Sequence, residues 1–130
     1  MVVEQAKKTR AAAHQLATLS TSQKNEVLLA LAKKLREKTS WILESNEKDC
    51  SLASKQVEAG SMSPALAKRL ALNEKKVEQM ALNLEGTAEL EDPVGKVTLA
   101  KRLDEDLELY RVTCPLGVLL VIFESRPEVV

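Results

Sequence analysis

The residues with the most chemical potential in this 130-residue chain stand together near its carboxyl end. Glu124, Ser125, Arg126 and Pro127 follow directly on the apolar run Gly117 to Phe123, "GVLLVIF". A carboxylate, a hydroxyl and a guanidinium at that place are suited to a ligand, because ligands of open α/β sheets bind beyond the carboxyl ends of the strands. The planar fork of Arg126 suits an anionic group such as a phosphate. Pro127 biases Arg126 away from helical dihedrals, so the chain leaves the run extended. The competing reading is a solvated turn with a helix starting after Pro127, and in an arbitrary sequence that is the commoner outcome.

The other reactive side chains are few. Cys50 and Cys114 are the only cysteines and His14 the only histidine. A zinc site from Cys and His would consume all three, and two cysteines make no disulfide framework. No metal site is expected. Cys50 follows Lys48 and Asp49 within a helical stretch and reads as a small buried hydrophobe. Cys114 precedes Pro115 ahead of the apolar run and reads as chemically silent. His14 sits among Ala11, Ala12 and Gln15 and reads as structural. No glycine-rich phosphate loop occurs.

The totals exclude some functions. Lys and Arg number 19, Asp and Glu 19. A balanced chain lacks the local basic excess that phosphate backbones require. Aromatics are 2% of residues, too few for a base-stacking platform, and leave a core of Leu, Val and Ala. The start "MVVEQAKKTR" has no secretory apolar core, and no run reaches the ~20 apolar residues of a membrane span. The cysteine usage fits a reducing compartment. The expected location is cytoplasmic, with an organellar address removed before residue 1 left open.

Two textures meet near Gly86. Residues 1–86 read as helical. Ala6, Ala13, Leu16 and Ala17 mark a first helix over about Glu4 to Leu19. Ser20 with Gln23 fits a capping box before a second helix, with Val27, Leu28, Leu31 and Leu35 on one face. Ser40 to Val57 reads as a third helix, ended by Gly60. Ser63 is a natural N-cap with Pro64 at the first helical position. Asn73 caps a fifth helix that carries Val77, Met80, Ala81 and Leu84 and ends before Gly86. After a loop marked by Asp92-Pro93 and Gly95, residues 96–113 read as a β-hairpin around the acidic Asp104-Glu105-Asp106. Residues 117–123 read as a core strand. The basic cluster "AKKLREK" reads as solvated helix face.

That last strand raises an expectation. A continuous apolar run belongs to a strand covered on both faces, typical of parallel sheets flanked by helices. No other run here is of that kind, so its sister strands are expected beyond Val130, and the chain reads as the front of a larger α/β protein. The rival reading is a strand covered by the helices or by a second chain.

The segment "CPLGVLLVIFESRPEVV" resembles that of γ-glutamyl phosphate reductase (glutamate-5-semialdehyde dehydrogenase), with its Pro-x-Gly-Val, hydrophobic strand and Glu-Ser/Ala-Arg-Pro. "LSTSQKNEVLLALAKKLREK", "ILESNEKD", "SPALAKRLALNEKKVEQMA" and "DPVGKV" agree with that family in order and spacing. The same module forms the reductase half of Δ1-pyrroline-5-carboxylate synthetase. The resemblance implies an α/β fold of the aldehyde dehydrogenase superfamily. Residues 1–130 would be the N-terminal part of its Rossmann-like NADPH-binding domain, incomplete here, with the hairpin used in oligomerisation. It implies NADPH-dependent reduction of γ-glutamyl phosphate to glutamate-5-semialdehyde in proline biosynthesis, by way of a cysteine thioester. The nucleophilic cysteine is expected beyond Val130, so no residue here is assigned as catalytic and the chain alone is expected to be inactive. Glu124, Ser125 and Arg126 are the cofactor-facing candidates, with Arg126 toward the nucleotide or the substrate phosphate. The complete enzyme would be a homo-oligomer without nucleic-acid or membrane partners. The alternative, from a different class, is a non-catalytic helical interaction module whose last strand docks on a partner.

Overall fold

The computed structural model describes residues 2–123 and Arg126. They fall into two units, Met1–Gln23 with Leu90–Leu120, and Lys24–Glu89 with Val121–Val130. The elements are α1 (Val2–Leu16), α2 (Thr21–Glu37), α3 (Thr39–Glu58), α4 (Pro64–Leu70) and α5 (Glu74–Glu89), then β1 (Val97–Asp104) and β2 (Leu107–Val112).

Helix caps and small side chains shape α2 to α5. The capping box at the start of α2 is formed: Ser20 N donates to Gln23 Oε1 at 2.9 Å, and Gln23 N donates to Ser20 Oγ at 3.3 Å. Along α2 the inward stripe is Leu28, Ala32 and Leu35, with Ala32 fully buried. The sequence reading put Val27 and Leu31 on that face, yet they are 60% and 48% exposed. The stripe is centred on Ala32, and Val27 and Leu31 fall on the exposed side of the helix.

Helix α3 ends as Gly60 implied. Gly60 takes φ 72°, and its amide and that of Ser61 close back on the Val57 and Gln56 carbonyls at 3.0 and 2.9 Å. Ser63 caps α4 by accepting from Leu66 N at 3.2 Å, with Pro64 in the first turn. Asn73 caps α5 by accepting from Lys76 N at 2.9 Å. Helix α5 does not stop before Gly86. It runs to Glu89, and the only left-handed glycines are Gly60, Gly95 and Gly117. A helix ends at glycine when the backbone there turns left-handed. Instead Asn25 Nδ2 donates to the Ala88 carbonyl at 2.8 Å, which satisfies the last turn of a longer helix.

The core of this unit is small. Ala32, Ala53, Val77, Ala81 and Ala88 are the buried apolar residues, and Val77 is the one large side chain fully enclosed. Helix α3 packs on α4 and α5.

In the first unit, α1 buries no residue and only Ala13 of its predicted stripe is half-buried. β1 and β2 pair antiparallel, Val97 opposite Val112 and Ala100 opposite Tyr110, with irregularities near either end. The base of the ribbon is closed by Gly95 N to the Thr113 carbonyl at 2.9 Å, with Gly95 at φ 78°. At the tip, Arg102 Nη2 donates to the Glu105 carbonyl at 2.6 Å. Every residue of both strands is exposed.

Residues 117–123 form no ladder with any described residue, and the sequence reading expects the sister strands of this run beyond Val130, outside the described residues. Leu120 and Ile122 are 86% and 87% exposed. A strand exists only through its neighbours, and the described residues supply no sister strand beside this run.

Candidate functional site

Of the three cofactor-facing candidates, Glu124 and Ser125 lie outside the described residues. Arg126 lines an open hollow of about 620 Å³ with Ala65, Lys68, Arg69 and Lys76. Helix α4 supplies three of these at positions 65, 68 and 69. That spacing of three and four places them on one side of the helix. Lys76 comes from the first turn of α5, which the Asn73 cap starts.

The turn between α4 and α5 is held by Asn46 of α3. Its Nδ2 donates to the Leu70 carbonyl at 2.9 Å, and its Oδ1 accepts from Leu72 N at 2.8 Å. The carboxamide thus serves a last-turn carbonyl of α4 and the amide that follows. Lys76 Nζ donates to the Ala71 carbonyl at 2.6 Å. No carboxylate among the described residues lines the hollow. Among the described residues, Lys68, Arg69 and Arg126 form no ion pair.

Elsewhere in the unit a cation is fully matched. Arg36 donates through Nε to both oxygens of Glu78 at 3.1 and 3.0 Å, and through Nη2 to Glu78 and Glu85 at 2.8 and 2.9 Å. Its Nη1 also bonds Glu85. The hydrogen bonds of Glu85 and Glu78 raise the Arg36 pKa, and Arg36 lowers both carboxyls below the usual range. This cluster spans two helices and is a structural clamp.

Cys50 is half-buried, with Sγ 3.6 Å from Asn46 Oδ1. Cys114 is exposed. His14 lines a hollow of about 520 Å³ with Arg10, Ala13, Ala17 and residues 115–118. Among the described residues no group of three or more His, Cys, Asp or Glu is placed to hold a metal. No helix among them is long and apolar enough to cross a membrane. Sequence reasoning took Lys68, Arg69 and Lys76 only as parts of helices. Their signal was the i, i+3, i+4 spacing of Ala65, Lys68 and Arg69 and a second basic pair, Lys75-Lys76, just past the Asn73 cap.

No family model matches the chain. Individual relatives do. The Gamma-glutamyl phosphate reductase of Acaryochloris marina is 47% identical over 129 residues, 99% of this chain and 29% of its own length. That of Haloquadratum walsbyi is 44% identical over 117 residues, 90% of this chain and 26% of its own length. The crystal structure of Gamma-glutamyl phosphate reductase from Saccharomyces cerevisiae superposes with a TM-score of 0.87 at 43% identity, over 95% of this chain and 31% of that one.

The architecture is therefore that of a partial domain, a helical part carrying a two-stranded antiparallel ribbon, found within larger solved proteins. Along nearly its whole length the chain is similar to γ-glutamyl phosphate reductases. It spans between about a quarter and a third of the length of the curated relatives it matches.

Proposed function

We propose that this chain serves as the matched stretch of an NADPH-dependent γ-glutamyl phosphate reductase. The complete enzyme reduces γ-glutamyl phosphate to glutamate-5-semialdehyde with release of phosphate, in the cytoplasm, as a step of proline biosynthesis. The observation that carries this reading is the likeness to the Saccharomyces cerevisiae reductase, in sequence at 43% identity and in space at a TM-score of 0.87.

Residues 1–130 then belong to the Rossmann-like cofactor domain, and the ribbon β1–β2 is an oligomer contact of the assembled enzyme. The exposure of every ribbon residue suits a surface covered on assembly. NADPH supplies the hydride when bound. The donor set around Arg126 fits a group that carries phosphates, since four cations line one hollow. Arg126 holds a phosphate there, and Glu124 and Ser125 are assigned to the same site by their place in the matched segment. The nucleophilic thiolate belongs to the part of the reductases that this chain does not span. Cys50 is bonded to Asn46 within the helical unit, which suits a packing role.

The test is an exchange. The matched stretch of the Saccharomyces cerevisiae reductase is replaced by residues 1–130, and the reverse reaction is followed with the semialdehyde, phosphate and NADP. The chimera turns over, Arg126→Ala in the chimera loses most of that rate, and the 130-residue chain alone gives none. A folded chimera without turnover, or an isolated chain with it, overturns the reading.

A further inference from the structure

We propose that Asn46 is a positioning residue of the hollow that Arg126 lines. It fixes the turn at residues 70–72 and, through that turn, the ammonium group of Lys76. This role deepens the reductase reading and rests on it for its effect on turnover.

The contacts run in series. Asn46 belongs to α3, yet its carboxamide bonds the backbone on both sides of Ala71, donating to the Leu70 carbonyl at 2.9 Å and accepting from Leu72 N at 2.8 Å. The peptide unit joining Ala71 to Leu72 is planar and trans, so its N–H and its carbonyl point in opposite directions. The N–H is held by Asn46, and the carbonyl accepts from Lys76 Nζ at 2.6 Å. Rotation of that one unit therefore moves both bonds together. The backbone of Lys76 is fixed separately, by the Asn73 cap at 2.9 Å, so it is the charged end of the side chain that depends on the Ala71 carbonyl.

The residue type suits the task. A carboxamide carries a donor and an acceptor side by side, as the turn requires, whereas a carboxylate offers acceptors alone and an aliphatic side chain neither. Cys50 Sγ, one helical turn on, donates to the same Oδ1 at 3.6 Å and helps to fix which end faces Leu72. Lys68 and Arg69 stand in the last turn of α4, directly before this turn, and Lys76 in the first turn of α5, directly after it. Three of the four cations lining the hollow thus hang on a turn that Asn46 holds. Asn25 makes the same kind of bond, to the Ala88 carbonyl at 2.8 Å, but at the far end of α5 from the hollow. It provides the control.

Two measurements test this role. In the ¹³C-labelled 130-residue chain, the Lys76 ε-methylene becomes more mobile by NMR relaxation in Asn46→Ala and not in Asn25→Ala. In the chimera with the Saccharomyces cerevisiae reductase, Lys76→Met raises KM for NADP or for inorganic phosphate in the reverse reaction. Asn46→Ala raises the same KM at least about tenfold with kcat within about twofold, and Asn25→Ala leaves both unchanged. Added to Lys76→Met, Asn46→Ala raises that KM by under about threefold more, because both break one series. Asn46→Asp adds a pH signature. Its ionised carboxylate has no proton for the Leu70 carbonyl and its neutral form has one, so the raised KM falls back between about pH 8 and about pH 6. Circular dichroism checks folding, and Asn46→Asp replaces Asn46→Ala should the latter unfold. Unaltered Lys76 mobility in the Asn46 variant, an unchanged KM, or an equal rise in Asn25→Ala overturns the proposal. A chimera that fails to turn over with Asn46 in place counts against the reductase reading alone, and the Lys76 mobility then decides this one.

Discussion

At the scale of single residues, the charges of the helical unit divide into two kinds. Arg36 is spent on structure. It bonds two carboxylates of α5, and both carboxyl pKa values are lowered by the bond. Their folded pKa values lie below the usual 4.5, so this contribution is present in full above about that pH and is lost as pH falls through the lowered values. The urea midpoint of the chain should therefore fall on acidification below pH 4.5, and Glu78→Gln with Glu85→Gln should flatten that part of the profile. An unchanged acid profile in the double variant would show that the clamp contributes nothing. Lys68, Arg69 and Arg126, by contrast, have no carboxylate partner among the described residues. Of the residues lining the hollow, Arg126 was named from the sequence because proline and an apolar run frame it. The lysines and Arg69 were not, because a basic pair on a helix looks the same whether it faces solvent or a shared hollow. Asn46 was missed for a similar reason. Its bonds reach residues 24 and 26 positions away, and no local pattern announces them.

At the scale of elements, the caps were legible because they are local. Ser20 with Gln23, Ser63 with Pro64, and Asn73 each bond within three residues, so sequence spacing determines them. Gly86 misled because glycine permits a left-handed stop without requiring one. Its interior position yields a prediction. A Cβ added at Gly86 meets nothing within 4 Å. Gly86→Ala should stabilise the chain by about 0.5–1 kcal/mol, read as a higher urea midpoint, by removing freedom from the unfolded chain. A lower midpoint would place the end of α5 before Gly86 after all. Val77 gives the opposite case. As the one large side chain fully buried, Val77→Ala should cost about 2 kcal/mol in a denaturant titration, from two lost methyl groups and the void they leave. A cost near zero would mean that the helices around it do not pack as described. The apolar face of α2 was read correctly at Leu28 and Leu35 but not at Val27 and Leu31, because its most buried position is an alanine, Ala32, which side-chain size does not single out.

At the scale of the molecule, the apolar surface is the decisive fact. The closed core is Val77 and four alanines, whereas Leu116, Leu119, Leu120, Val121 and Ile122 are all more than 60% exposed. The sequence made the character of residues 117–123 plain, since an unbroken apolar run asks for cover on two faces. It could not place the run, because placement depends on strands that the described residues do not provide. The chain matches 26–31% of the length of its relatives, which accords with a stretch whose partners are supplied by a longer polypeptide. Amide hydrogen exchange across Val118–Phe123 tests this most directly, compared between the monomeric 130-residue chain and the chimeric reductase that carries it. The account predicts exchange at unprotected rates in the chain alone, beside slow exchange at Val77 and Ala81, and strong protection of the same six amides in the chimera. Slow exchange of those amides in the isolated monomer, or unprotected exchange in a folded chimera, would contradict it.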